Sequence, residues 1–465
     1  MKNRLIYNML KKTSKRLSLH MPGHHGKAPY KYKNIYKLDT TELVDVTDNL
    51  YKPKGAIFEA QKMLAKSAGV SNAIFLHNGT TAGVHAMLIY AKHFGNKIIM
   101  QRNSHISAYN ITMLLNFNVA FIDFSKTENG HNYVSKANII NTIEQNPDAA
   151  AILITSPDFY GAMLDLTDIV KLAHSKNMLV LCDQAHGAHL NWDRDLKNAG
   201  EYGGDIFVQS AHKTLPSLTS SAWLLLNEGI NNELLLQCLS TVQTTSPSFI
   251  NFLSQDDARN YMDSFGAGNI SQAKILIKNF GDKICDYGYT LAHNQWKNET
   301  KDDNIIYDET RLVIKANQGG YKFQEQLKNS GIDVELADDF YVVCIVSLNI
   351  NILNKQLKTL YKAIKSLGKQ SLSNIKIINI NYALPDKALN ANEAYFGKKE
   401  WVTLNEARNR VAASLVGFYP PGTPLIIWGE KYNDNIVDML LNADEGKLFG
   451  VKNNCVLCIV EEGIN

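Results

Sequence analysis

The spacing of apolar positions changes along this chain, and the changes outline its organisation. From about Ala73 to Leu226, short apolar runs alternate with longer amphipathic stretches. The runs at 74–76, 97–100, 119–122, 150–155, 178–183, 206–210 and 222–226 have the length and character of strands. The stretches 82–93 and 166–175 have helical length and period. Such alternation predicts an α/β fold, a mainly parallel sheet covered on both faces, with ligands at the carboxyl ends of strands. A more helical stretch follows, from Asn231 to His293. A second mixed α/β region is expected from about Tyr307, with strands at 311–315, 341–348 and 377–382 and helices at 321–329 and 355–367. The chain thus divides into an N-terminal arm (1–50), a large domain (51–300) and a smaller C-terminal α/β domain (301–465).

Composition narrows the picture without changing it. The 465 residues are 45% hydrophobic and 20% charged, as in soluble globular proteins. A net charge of +3 gives no reason to expect a nucleic-acid partner, and Lys11-Lys12-Thr13-Ser14-Lys15-Arg16 reads as a solvated arm. No apolar run approaches the roughly 18 residues of a membrane span, and 5–10 is too short for a signal peptide, so a cytoplasmic protein is expected. Cys455-Val456-Leu457-Cys458 has CxxC spacing but no second pair, and it lies in an apolar run. It reads as core side chains in a strand, and no metal is expected.

Candidate chemistry begins at Met178-Leu179-Val180-Leu181-Cys182-Asp183, where an aspartate closes an apolar run. Thirty residues on (213 − 183), Lys213 sits in Ser210-Ala211-His212-Lys213-Thr214. A buried strand-end aspartate and a lysine among hydroxyls and a histidine suit pyridoxal 5'-phosphate. The lysine forms a Schiff base with its aldehyde, and the aspartate pairs with its protonated ring nitrogen. Upstream, Phe75-Leu76-His77-Asn78-Gly79-Thr80-Thr81 runs from a strand through a turn into a helix. Backbone N–H groups of Gly79 and its neighbours, two hydroxyls and the helix dipole make a phosphate site there. Ser210 and His212 flank the lysine and reach for the same phosphate. His105 follows the next strand and offers a flat ring to stack on the cofactor. His186, three residues after Asp183, is placed to bond that aspartate or the cofactor hydroxyl, or to support the turn.

With these motifs in order, the chain resembles the Orn/Lys/Arg decarboxylase family, pyridoxal-phosphate enzymes of fold type I, nearly end to end. The resemblance is carried by His20-Met21-Pro22-Gly23-His24-His25-Gly26, Asp39-Thr40-Thr41-Glu42, Asn78-Gly79-Thr80-Thr81, Arg102-Asn103-Ser104-His105 and Thr155-Ser156-Pro157. It continues through Asp183-Gln184-Ala185-His186-Gly187-Ala188-His189, Ser210-Ala211-His212-Lys213-Thr214-Leu215, Thr244-Thr245-Ser246-Pro247-Ser248, Tyr419-Pro420-Pro421-Gly422-Thr423-Pro424 and Gly429-Glu430. It implies an aspartate-aminotransferase-like large domain and decarboxylation of arginine, lysine or ornithine to the amine and CO2. It also implies a homodimer in which Thr245 and Ser246 approach the other subunit's cofactor. Only nineteen residues precede His20 (20 − 1), so a short form without the N-terminal wing domain is expected.

Three departures from the family pattern stand out: Gln184 where the family usually has Glu, His25 where it has Lys, and Ser220 where it has Gln or a similar side chain. A cationic substrate side chain needs a carboxylate, because a buried unpaired charge is costly. Glu42, Glu335, Asp338 and Glu430 are the candidates. Arg311 and Arg408 are possible clamps for a substrate carboxylate, which keeps another pyridoxal-phosphate reaction, transamination or elimination, as an alternative. A non-catalytic, cofactor-binding regulator is a further alternative.

Overall fold

The computed structural model describes residues 10–11, 14–43, 46–126, 132–299, 304–370, 384–419 and 422–460. The chain divides into two compact units. One is drawn from 1–83, 156–170 and 182–376, the other from 84–155, 171–181 and 377–465.

In the first unit the strands run in the order Asn72–Leu76, Ala222–Leu226, Ile206–Gln209, Leu179–Asp183, the last belonging to it from Cys182 on. Ala222–Leu226 is antiparallel to both Asn72–Leu76 and Ile206–Gln209. The connection 210–221 holds only the single helical turn Ala211–Thr214 instead of a crossover helix, so the chain turns straight back. In the second unit Lys97–Gln101 lies between Ala151–Thr155 and Asn118–Ile122 and is parallel to both. Its centre, Ile98 to Met100, is completely buried, as expected where both faces of a parallel strand are covered. The α/β architecture with a mainly parallel sheet is thus as the alternation predicts, with one antiparallel excursion at Ala222–Leu226.

The helical stretch is dominated by Phe249–Ile284, 36 residues long. Ser248 starts it by accepting from Asn251 N–H at 3.3 Å. Phe252, Gln255, Ala258, Met262, Gly266, Ile270, Ala273, Ile277, Phe280 and Ile284 mark its buried stripe at three- and four-residue steps, the helical period. Beyond it, Tyr289–Leu291, Leu312–Ala316, Tyr341–Cys344 and Leu336–Ala337 form an antiparallel sheet. In this region two boundaries differ from expectation by more than one residue. The strand at Tyr341 stops at Cys344, because Ile345 N–H turns to Leu19 O at 2.9 Å. The helix expected from residue 355 begins at Ile350, because Asn349 accepts from the N–H groups of Asn351 and Ile352. The strand expected at 377–382 lies outside the described residues.

In the second unit, Lys399–Thr403 pairs antiparallel with Cys455–Ile459. Cys458 is fully buried there among Val402, Leu404, Tyr432 and Val456, and Cys455 is partly exposed, so the CxxC pair is strand packing. Among the described residues no helix is long and apolar enough to cross a membrane.

Gly83 shows how tightly the helix Gly79–Lys92 starts. A Cβ there would stand 2.4 Å from Val208 Cγ1 and 2.8 Å from Leu76 Cδ1. Gly83→Ala is expected to cost about 1–3 kcal/mol of stability, read as a lower urea midpoint; an unchanged midpoint would show that the contact relaxes freely.

Candidate active site

Asp183 ends the strand Leu179–Asp183 and is only 5% exposed. Its Oδ1 accepts from Ala185 N–H at 3.1 Å. The turn that follows is fixed by backbone bonds, Gln184 N–H to Val208 O and Gly187 N–H to Gln184 O. Only glycine fits at 187, where a Cβ would lie 2.5 Å from Gln184 Cγ and 2.9 Å from Pro157 Cδ. Gln184 turns away from the chemistry into a buried amide network. It donates to Ser156 O at 3.1 Å and accepts from Gln209 Nε2 at 2.8 Å, and Gln209 in turn meets Asn191.

Lys213 stands in the single turn Ala211–Thr214, which is tied down at Ser210 (N–H to Ala185 O, 3.3 Å) and His212 (N–H to Ser221 O, 3.4 Å). The His-Met-Pro-Gly segment lies against this turn backbone to backbone. Gly23 donates to His212 O at 2.8 Å, and a Cβ on Gly23 would stand 2.8 Å from Thr214 C. Lys213 Nζ lies 3.1 Å from His186 Nε2 and 5.8 Å from the centre of the Phe159 ring. His186 is buried, packs on Phe159 and meets Arg311 Nη2 at its other nitrogen, Nδ1, at 3.1 Å. The Lys213 side chain keeps some exposure, but desolvation of its amino group lowers its pKa, and Arg311 adds to this. Asp183 and Glu335 oppose the fall.

The other cofactor candidates of this unit gather at the helix start. Gly79 takes φ +69°, a conformation that favours glycine, and donates to Ser220 O at 2.8 Å. Thr80 is half-buried with its Oγ1 3.4 Å from Ser210 Oγ, and Thr81 is exposed. His212 Nδ1 meets Ser221 O at 2.9 Å and therefore carries the proton, and burial lowers the pKa of this histidine. Thr245 and Ser246 are exposed, next to the backbone of Thr244 that accepts from Tyr51 OH. His105 belongs to the second unit, where it caps Ile106–Leu114 by accepting from Ser107 N–H at 3.2 Å.

The four candidate carboxylates have different environments. Glu42 is exposed and accepts from Asn49 Nδ2 at 2.6 Å. Asp338 is taken up by Tyr160 OH and by the N–H groups of Phe340 and Tyr341. Glu430, in the second unit, is buried and grips Arg102 through both oxygens at 2.7 Å, a structural ion pair. Glu335 alone of the four acts electrostatically on Lys213, His212 and Arg311, while its Oε2 accepts from Met21 N–H at 3.1 Å. Of the two arginines, Arg408 is spent on surface pairs with Asp434 and Asp438.

Arg311 on His186 and Glu430 on Arg102 are partnerships that sequence spacing does not reveal. The residues are separated by 125 and 328 positions. The sequence marked Arg311 as a possible carboxylate clamp and Glu430 as a candidate carboxylate, without their partners.

The match to the model of the "Orn/Lys/Arg decarboxylase, major domain" spans residues 6–298, and that to the "Orn/Lys/Arg decarboxylase, C-terminal domain" spans 378–448. The protein YaaO of Bacillus subtilis (strain 168) is 31% identical over 91% of this chain and 90% of its own. An arginine decarboxylase of the same organism is 28% identical over 95% of this chain and 94% of its own. Among solved structures, the Francisella novicida lysine decarboxylase LdcF superposes with a TM-score of 0.75 at 19% identity, over 92% of this chain and 75% of that one. This structural likeness shows the fold, that of fold type I enzymes.

Removing one partner of the Arg102–Glu430 pair leaves a buried charge. Glu430→Ala is expected to cost about 3–5 kcal/mol of stability, measured by denaturant unfolding. A variant of normal stability that is specifically defective in substrate binding would instead support Glu430 as a substrate ligand.

Proposed function

The chain belongs to the Orn/Lys/Arg decarboxylase family and is a decarboxylase, and on that premise we propose that it decarboxylates L-arginine with pyridoxal phosphate held at Lys213. The observation that carries this reading is the convergence of a buried Asp183 with a desolvated Lys213. The residues present fit the cofactor. Asp183 is a buried carboxylate whose one hydrogen-bond partner among the described residues is a backbone N–H, and a protonated ring nitrogen supplies the cation it lacks. Gly79, Thr80, Thr81, Ser210 and His212 would hold the phosphate. When bound, the cofactor supplies an electron sink for the bond to the substrate carboxyl carbon.

The chain's own residues provide the remainder. Lys213 would anchor the cofactor, and its amine is placed to move a proton, with His186 Nε2 3.1 Å away as its exchange partner. Phe159 and the buried turn 183–187 keep water from the carboxylate that is to leave, where its charge is poorly solvated. Glu335 is the carboxylate proposed to balance the substrate's cationic side chain, since its field reaches Lys213. Arginine is preferred over lysine and ornithine because, among the curated relatives compared along most of their length, those named for an activity are arginine decarboxylases. A guanidinium also offers paired donors to a carboxylate, which an ammonium does not.

We further propose a cytoplasmic homodimer with shared sites, in which the arm 1–50 helps to form the interface. Arm residues Tyr36 and Val46 are 85% and 78% exposed, and Thr245 and Ser246 are exposed where they would approach a partner's cofactor.

Incubation with arginine, lysine and ornithine separately, with CO2 and amine assayed, tests the substrate; a keto acid product would defeat the reading. Lys213→Ala should abolish turnover and the visible absorbance of lysine-bound cofactor, and normal turnover would remove the assignment. Asp183→Ala should lower kcat about 10²–10³-fold, and a twofold effect would be incompatible with its role at the ring nitrogen. Mixing Lys213→Ala with a Thr245→Ala/Ser246→Ala double variant should recover part of the activity through subunit exchange, because a mixed dimer holds one site free of both changes. Full activity in a monomer, measured by light scattering at assay concentration, would refute the shared site.

A further inference from the structure

We propose that Arg311 is a positioning residue that sets the tautomer of His186 and thereby holds Lys213 as a neutral amine. The inference rests on the reading of Lys213 as the cofactor anchor and adds a residue to it.

The argument is one of donors and acceptors. A guanidinium has donors only. Its Nη2 lies 3.1 Å from His186 Nδ1, so Nδ1 must present a lone pair. An imidazole with a lone pair at Nδ1 is the neutral tautomer protonated at Nε2, and the doubly protonated ring is excluded because it would face a donor with a donor. His186 Nε2–H then points at Lys213 Nζ, 3.1 Å away. An ammonium has no lone pair to accept that proton, and an amine has one. The chain Arg311 to His186 to Lys213 is therefore satisfied in one direction only, with Lys213 neutral. A neutral amine is the form whose lone pair is available to attack an aldehyde.

The remaining contacts of Arg311 strengthen the case. It is 4% exposed, and its Nε and Nη1 have no hydrogen-bond partner among the described residues. Asp308, Glu335 and Asp158 act on it electrostatically, yet its side-chain hydrogen bond among the described residues goes to a neutral ring. A guanidinium buried with two idle donors is costly, so an optimum for stability alone would orient it toward the carboxylates. The groups that act on Lys213 are Asp183 and Glu335, which favour the ammonium, and desolvation and Arg311, which oppose it. Desolvation is the largest of these and the net effect lowers the pKa of Lys213, the direction that the hydrogen-bond chain requires.

The test uses the full-length, cofactor-free chain, so that it does not depend on turnover. Nitrogen-15 NMR of the imidazole should show His186 as the neutral Nε2–H tautomer. Trace acetylation followed by mass spectrometry, run across pH, should give Lys213 a midpoint below that of the exposed lysines. In Arg311→Met, which has no donor, the His186 signal should leave the Nε2–H position and the Lys213 midpoint should rise by about one pH unit, a tenfold loss of neutral amine. Arg311→Lys, a cation that also only donates, should restore both. If the Lys213 midpoint rises but the tautomer stays, Arg311 acts by charge alone and the proposal is overturned. An Nδ1–H or doubly protonated His186 in the unmodified chain overturns it too, even if Arg311→Met does not fold. Failure of the pyridoxal-phosphate reading would look different: no visible absorbance on adding the cofactor, with the His186 and Lys213 signatures as expected.

Discussion

Removing charge from water without leaving it unbalanced is the constraint around which the first unit is organised. The Lys213 amine and the Arg311 guanidinium are both desolvated, and burial lowers the pKa of each. Asp183, Glu335, Asp308 and Asp158 supply the opposing field. These anions do not respond alike. Burial pushes Asp158 up to about 6, against the pull of the Ala162 and Tyr160 N–H groups and of Arg311. Asp308 is also pushed up by burial, but His189, Arg311 and Thr310 outweigh this and hold it below the ordinary aspartate range. Two aspartates that act on the same cation thus have opposite tendencies, because one has a histidine 3.1 Å from its carboxylate and the other relies mainly on backbone donors.

Rigidity around the lysine comes from the backbone. Gly23 brings the N-terminal segment onto the turn 212–215, and Gly187 lets the chain reverse directly after Asp183. At both places a Cβ would meet other atoms at 2.5–2.9 Å, so a larger residue would displace the elements that aim Lys213 and His186. The placing of these two side chains thus depends on glycines that carry no functional group.

Gln184, the departure from the family pattern beside Asp183, also makes sense on these terms. Its amide donates at one end to Ser156 O and accepts at the other from Gln209. A carboxylate has no donor for Ser156 O unless it is protonated. Neutral amides satisfy the buried network without adding a negative charge next to Asp183.

The alternation of apolar runs determined the α/β class and most strand positions, because burial of a strand on both faces requires continuous apolar sequence. Asp183, Lys213 and the Gly79-Thr80-Thr81 turn were likewise legible, since each is a local device: a strand end, a short turn, a helix start. The direction of Ala222–Leu226 was not legible, because it follows from what the connection 210–221 lacks. Nor did the sequence show which carboxylate is which. Glu430 and Glu335 look alike along the chain, and only folding gives one to Arg102 and the other to the field of Lys213. Local backbone preference and hydrophobic period act over a few residues and are written in order. Pairing between residues 125 or 328 positions apart is decided by packing, and only the tertiary structure contains it.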